Sequence, residues 1–173
     1  RSASDSGKLA ISVNDTGGVY FVPALAGLGT PYWAPDARGI ISGITRGTTS
    51  AHVVRAAIEA MAYQSKDVLD AMAKDTLLKI RELRVDGGAT ANSFMCQFQS
   101  DLLGIKVKRP FVLDTTALGA AYLAGLKSGF WKSKNELQDC QNTTVFSPDF
   151  SKKVRMNKLY EGWKKAVRQC LVN

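Results

Sequence analysis

The apolar residues of this chain follow two different periods. Val54, Ile58, Met61, Val68, Leu69 and Met72 recur at the spacing of a helix that buries one face. Thr49 or Ser50 can cap its start, which predicts a helix through about Lys74. Elsewhere the apolar residues come in short runs punctuated by glycine or proline, as buried strands do. Val19-Tyr20-Phe21-Val22 is one such run, stopped by Pro23. Residues 39–44 read as a second strand, 83–86 as a third and 105–108 as a fourth, with Pro110 ending its register. Gly27, Gly29, Pro31 and Pro35 make residues 26–37 an ordered loop.

Three more helices follow from local signals. One runs from about Asn92 to Leu103 and stops at Gly104, a residue suited to a left-handed C-cap. Thr115 or Thr116 caps another, rich in alanine and glycine, that reaches about Leu126. Its small residues 117–121, with Gly125, suit close packing of helix on sheet. The last runs from about Ser151 to Leu171, while residues 1–8 are small, polar and expected to fray. The succession β-α-β-α favours parallel pairing and an α/β class. With 173 residues, 45% of them hydrophobic, the chain can bury the core of one domain.

One segment carries chemistry. Leu83-Arg84-Val85-Asp86-Gly87-Gly88-Ala89-Thr90-Ala91-Asn92 reads as a strand, a double-glycine turn and a helix start. Adjacent glycines let a ligand lie directly on the main chain, and a helix start offers free N–H groups. That combination suits a nucleotide; a plain packing turn would use the same residues. Asn92 fits a helix N-cap as well as a contact to a base, and both roles are compatible. Asp86 is read as a carboxylate satisfied by local N–H groups rather than a catalytic one. His52, the single histidine, opens a predicted helix and is a poor general base there. Gly27-Leu28-Gly29 lacks the last glycine and the helix of a dinucleotide fingerprint. Arg38 and Arg46 default to surface salt bridges.

The net charge of +8 raises nucleic acid as a partner. The excess gathers late, at Lys152, Lys153, Arg155, Lys158, Lys164, Lys165 and Arg168, with no nucleic-acid module beside it. A solvated helix face accounts for it better. No apolar run could span a bilayer. Cys96, Cys140 and Cys170 are widely spaced and form no metal-ligand pattern, so they are read as reduced thiols of a cytoplasmic protein.

Several motifs stand in a fixed order. Val22-Pro23-Ala24-Leu25-Ala26-Gly27-Leu28-Gly29-Thr30-Pro31-Tyr32-Trp33 comes first, then Gly39-Ile40-Ile41-Ser42-Gly43-Ile44 with His52-Val53 and Ala56-Ala57-Ile58-Glu59. The double-glycine segment continues as Ser93-Phe94-Met95-Cys96-Gln97-Phe98-Gln99-Ser100-Asp101-Leu102-Leu103-Gly104, and Thr115-Thr116-Ala117-Leu118-Gly119-Ala120-Ala121 follows. Together, over about residues 17–131, they resemble the C-terminal domain of the FGGY family of carbohydrate kinases. Leu25, Ala34, Met95-Cys96 and Asp114 depart from the family pattern without touching the turn.

The resemblance implies an actin-like ATPase fold on a ribonuclease-H-like core, with residues 1–173 as an incomplete C-terminal domain. It implies a parent enzyme that uses ATP with Mg²⁺ and is a homo-oligomer, dimer or tetramer. Gly87, Gly88, Ala89 and Asn92 would bind the nucleotide, with Gly88 against it and Asn92 beside the adenine. The catalytic carboxylate and most of the polyol site would lie upstream of this chain. Residues 23–33 with Gln97-Phe98-Gln99-Ser100-Asp101 favour glycerol as the polyol over a pentulose.

Overall fold

The computed structural model describes residues 5–77, 79–140 and 142–172, without the side chains of 138–140. The elements are Ser6–Ile11 (α1), Tyr20–Val22 (β1), Ile40–Ser42 (β2), Ser50–Thr76 (α2), Glu82–Arg84 (β3), Ser93–Leu103 (α3), Lys106–Pro110 (β4), Thr115–Ser128 (α4), Thr143–Phe146 (β5) and Lys153–Val172 (α5). β1 and β2 pair antiparallel, with Phe21 opposite Ile41. The second sheet has the order β3-β4-β5. β3 and β4 are parallel, with Leu83 opposite Val107, and α3 is their crossover. β5 returns antiparallel, with Phe146 opposite Val107. Among the described residues, parallel pairing therefore holds for one pair of strands, β3 and β4.

Two clusters hold these elements. Leu83, Val85, Val107 and Phe146 pack beneath Ala10, Ile58, Met95 and Cys96, so α1, α2 and α3 share one face of the second sheet. The larger cluster joins Val22, Ala24, Tyr63, Phe98, Leu102 and Trp163. Trp163 is wholly buried and stacks on Tyr63 at 5.3 Å, while Phe98 meets Tyr63 edge-on at 5.6 Å. Both geometries suit ring quadrupoles. The Asp67 carboxylate is buried among three donors: Trp163 Nε1 at 2.8 Å, the Tyr32 hydroxyl at 2.9 Å and the Tyr160 hydroxyl. It thus ties α2 to α5 and to the loop 26–37. Glu59 is likewise buried, held by Arg55 at 2.9 Å and by the Tyr63 hydroxyl at 3.0 Å. Burial pushes the Glu59 carboxyl up, and Arg55 opposes that shift.

The structure departs from the sequence expectations at identifiable places. Residues 6–11 form α1 instead of fraying, because Arg55 reaches back to the carbonyls of Ala10 and Val13 and Ala10 is sealed in the core. Residues 1–4 lie outside the described ones. In α2 the expected stripe is rotated: Ile58 is buried, but Met61, Val68 and Met72 are exposed. The buried face runs instead through Ala51, Arg55, Glu59, Ala62, Tyr63 and Asp67. Small residues and paired charges fill it, so hydrophobicity alone picks the wrong side. Pro110 ends β4 but still pairs with Thr143 across β5, a strand the pattern did not reveal. The cap of α4 is Asp114, which accepts from the Ala117 N–H at 3.0 Å, not Thr115 or Thr116. α4 has no buried residue, so its small face is not pressed on the sheet; Gly125 instead makes room for Trp131.

Candidate functional site

The site begins where β3 ends. The Val85 N–H continues the ladder to the Lys108 carbonyl at 2.9 Å. The Asp86 carboxylate accepts from the Thr115 hydroxyl at the head of α4, not from the neighbouring N–H groups expected for it. Gly87 takes φ 84°, ψ 169°, a region in which a side chain is strained, and its N–H donates to the Leu113 carbonyl at 2.9 Å. A 3-10 turn, Gly88–Ala91, comes next, and only then α3. The helix does not follow the glycines at once, and β3 is an edge strand of the described sheet, not a central one.

The two sides of this turn differ. Behind it, the Thr90 hydroxyl donates to the Gly87 carbonyl at 2.7 Å, and Thr90 is buried. Arg109 Nη1 donates to the carbonyls of Thr90 at 2.7 Å and Ala91 at 3.2 Å. The Cys96 thiol also donates to the Thr90 carbonyl, at 3.3 Å, and desolvation pushes that thiol's pKa up. In front, a Cβ built on Gly87 or on Gly88 meets nothing within 4 Å. Gly87, Gly88 and Ala89 are exposed.

Asn92 is the N-cap of α3; its Oδ1 accepts the Met95 N–H at 3.3 Å. The cap does not consume the amide Nδ2, a donor that faces α1: a Cβ on Gly7 would stand 3.2 Å from the Asn92 amide. Gly87, Gly88, Ala89 and Asn92 are therefore brought together on one short stretch of backbone between β3 and α3. A cleft of about 710 Å³ opens beside Asp86, between the sheet and α4, and is lined by Arg84, Lys108, Thr115, Gly119 and Tyr122. The glycines of the turn do not line it.

The other residues singled out in the sequence have structural roles. His52 Nδ1 accepts the Thr49 N–H at 3.1 Å and closes the first turn of α2. Arg38 donates to the carbonyls of Pro35 and Ala37 and not to a carboxylate as expected. The late basic residues are solvated or paired: Lys152, just before α5, with Asp101 and Asp149, and Lys164 of α5 with Glu161. Cys96 and Cys170 are free and buried; the side chain of Cys140 is outside the described ones. Among the described residues no group of three His, Cys, Asp or Glu gathers to hold a metal ion, and no helix is long and apolar enough to cross a membrane. Arg109 was not marked by the sequence, and Thr115 and Cys96 were marked only as a helix cap and a reduced thiol; the partners of Arg109 and Thr115 lie 19 and 29 residues away along the chain.

Comparison with solved structures first defines the class. The chain aligns with Plasmodium falciparum glycerol kinase, determined with ADP, at TM-score 0.84 and 34% identity, covering 99% of this chain and 34% of that one. It aligns with xylulose kinase from Lactobacillus acidophilus at TM-score 0.79 and 22% identity, covering 99% and 35%. The fold is thus the α/β fold of actin-like ATPases, as expected.

The family follows from the sequence match. A model of the C-terminal domain of the FGGY family of carbohydrate kinases matches residues 3–128, and the chain belongs to that family. It is 53% identical over 171 residues to glycerol kinase of Desulfitobacterium hafniense, covering 98% of this chain and 34% of that one. To glycerol kinase of Desulforamulus reducens it is 56% identical over 171 residues, covering 96% and 33%. The chain spans about a third of the length of these curated relatives.

Proposed function

We propose that this chain forms the adenosine-side part of an ATP-dependent kinase that phosphorylates glycerol to glycerol 3-phosphate. The observation that carries this reading is the turn at Gly87 and Gly88, tied down behind and open in front at the carboxyl end of β3. Ligands of open α/β sheets sit outside the carboxyl ends of the strands. Gly87, Gly88 and Ala89 would carry the nucleoside on bare main chain, and Asn92, with Oδ1 keeping the cap, would offer Nδ2 to the base by turning it from Gly7 of α1. The relatives at 53% and 56% identity are glycerol kinases, and the aligned Plasmodium structure is of the complex with ADP. These favour glycerol over a pentulose, since the xylulose kinase likeness at 22% supports the fold alone.

Phosphoryl transfer of this kind rests on positioning and charge stabilisation by Mg²⁺ and by a carboxylate near the attacking hydroxyl. Among the described residues the Asp86 carboxylate beside the turn accepts from the Thr115 hydroxyl, and no group of three His, Cys, Asp or Glu gathers, so on this reading the metal would be held by nucleotide phosphates and by residues outside this chain. On this reading the 173-residue chain by itself turns over no glycerol.

The test uses the full-length enzyme. Gly88→Val fills the open side of the turn, and Asn92→Ala removes the donor to the base. Each should raise the KM for ATP, Asn92→Ala by about tenfold, near 1.4 kcal/mol, with the KM for glycerol little changed. Thermal unfolding must be measured alongside, because a lost N-cap costs about 1 kcal/mol of stability by itself. Folded variants with unchanged ATP kinetics would reduce Gly87 and Gly88 to a packing turn.

A further inference from the structure

We infer that Arg109 is the positioning residue of the nucleotide turn, acting through the carbonyls of Thr90 and Ala91; this rests on the reading just given. A 3-10 turn leaves the carbonyls at its end without partners of its own. Here one nitrogen of Arg109 satisfies two of them, at 2.7 and 3.2 Å, and lies 3.4 Å from the Ser93 hydroxyl. The guanidinium also lies over the Phe146 ring of β5, 5.2 Å from its centroid. No carboxylate among the described residues ion-pairs with it. Its charge is spent on main-chain dipoles, and a charge-assisted hydrogen bond is roughly twice as strong as a neutral one.

The placement links both ends of the turn to one strand. The Lys108 carbonyl of β4 fixes Val85, where the chain enters, and the next residue, Arg109, fixes Thr90 and Ala91, where it leaves. In a trans peptide the C=O and N–H point opposite ways. Drawing the Thr90 and Ala91 carbonyls back to Arg109 therefore turns the N–H groups of the same peptides the other way. Those N–H groups belong to Ala91 and Asn92, and the Asn92 N–H donates to the Ala89 carbonyl at 3.2 Å, so Arg109 sets the attitude of Asn92 and, through it, of Ala89 without touching a ligand. A lysine ammonium has donors enough for the two carbonyls but lacks the planar guanidinium that lies over Phe146.

The experiment compares Arg109→Met, Arg109→Lys and Phe146→Leu in the full-length enzyme, with Asn92→Ala as reference. A positioning role raises the KM for ATP in Arg109→Met by about fivefold or more, while kcat and the KM for glycerol stay within about twofold. Arg109→Lys should recover part of that loss, and Phe146→Leu should show a smaller rise of the same kind. A merely structural role would lower the active fraction and leave both KM values alone. The inference is overturned if folded Arg109→Met keeps its KM for ATP while Asn92→Ala does not. If Asn92→Ala and Gly88→Val are themselves silent, the nucleotide reading fails and this inference falls with it. Should Arg109→Met not fold, Arg109→Lys decides: a KM for ATP equal to that of the parent overturns the inference.

Discussion

Around Trp163 every surface is taken: Tyr63 stacks on one side, Asp67 accepts its indole N–H, and the side chain has no exposure. At Gly88 the main chain is bare, and an added Cβ would meet nothing within 4 Å. The first region spends its polar groups on one another. Asp67 draws Tyr32, Tyr160 and Trp163 together from the loop 26–37 and α5, so a buried charge is solvated by protein rather than by water. The second region spends its polar groups on holding a shape, with Arg109, Leu113 and Thr115 fastening the back of the turn. Stability should be concentrated in the first and ligand binding in the second, and substitutions can test whether the two separate.

The largest effect should come from Trp163→Ala. It removes a fully buried ring, exposes Tyr63 to a cavity and leaves Asp67 short of a donor, so about 3–5 kcal/mol of unfolding free energy should disappear. Urea denaturation measures this directly. A loss below about 1 kcal/mol would mean that the core collapses around the gap, and the contrast between the regions would weaken.

Gly162→Ala should come next. A Cβ there would stand within bonding distance of the Tyr20 hydroxyl, which donates to the Leu159 carbonyl at 3.1 Å. Tyr20 must swing away and give up that bond, for a cost of about 1–3 kcal/mol, the usual range of overpacking. Tyr20→Phe combined with Gly162→Ala should recover part of the loss, as it removes the nearest clashing atom and the hydroxyl that would lose its partner, although the ring carbon Cζ must still move.

A pH titration gives a third, smaller contrast. Burial pushes the Tyr63 hydroxyl well above its ordinary value near 10, and the Glu59 charge beside it adds to the shift. The folded state therefore keeps a proton that the unfolded chain releases. The stabilisation is complete below pH 10 and is lost as pH rises beyond it, at about 1.4 kcal/mol per pH unit for this one group. Tyr63→Phe should flatten that decline while costing about 1 kcal/mol at neutral pH through the lost bond to Glu59. If the slope above pH 10 is unchanged in Tyr63→Phe, the hydroxyl is not shielded as described.

The two regions were also unequally legible in the sequence. The turn announced itself because Gly87-Gly88 sits between a β-run and a capped helix, a local signal that needs no tertiary knowledge. Asn92 was readable as a cap for the same reason. What fastens the turn was not readable, because Arg109 and Thr115 act across 19 and 29 residues, and the local motif at Thr115 signals only a helix start. The core face of α2 was misread because alanine, Arg55, Glu59 and Asp67 occupy it, and buried charges look exposed until their partners are known. α1 and β5 were missed because each is short and owes its form to a neighbour: Arg55 for one, β4 for the other.

The smallest effect should be at Gly119, and its sign is the point. Gly119 lies inside α4, carries no positive φ, and has nothing within 4 Å of a built Cβ. The sequence presented it as part of a close-packed helix face, in which case alanine would clash. In the structure that face is open to the cleft beside Asp86. Alanine should then act only on the unfolded chain and on helix propensity, stabilising the protein by about 0.4–1 kcal/mol. Gly162→Ala and Gly119→Ala are the same substitution in two helices, and they should move the unfolding midpoint in opposite directions. A destabilising Gly119→Ala would show that α4 closes onto the sheet in solution, and the cleft would not be a lasting feature of this region.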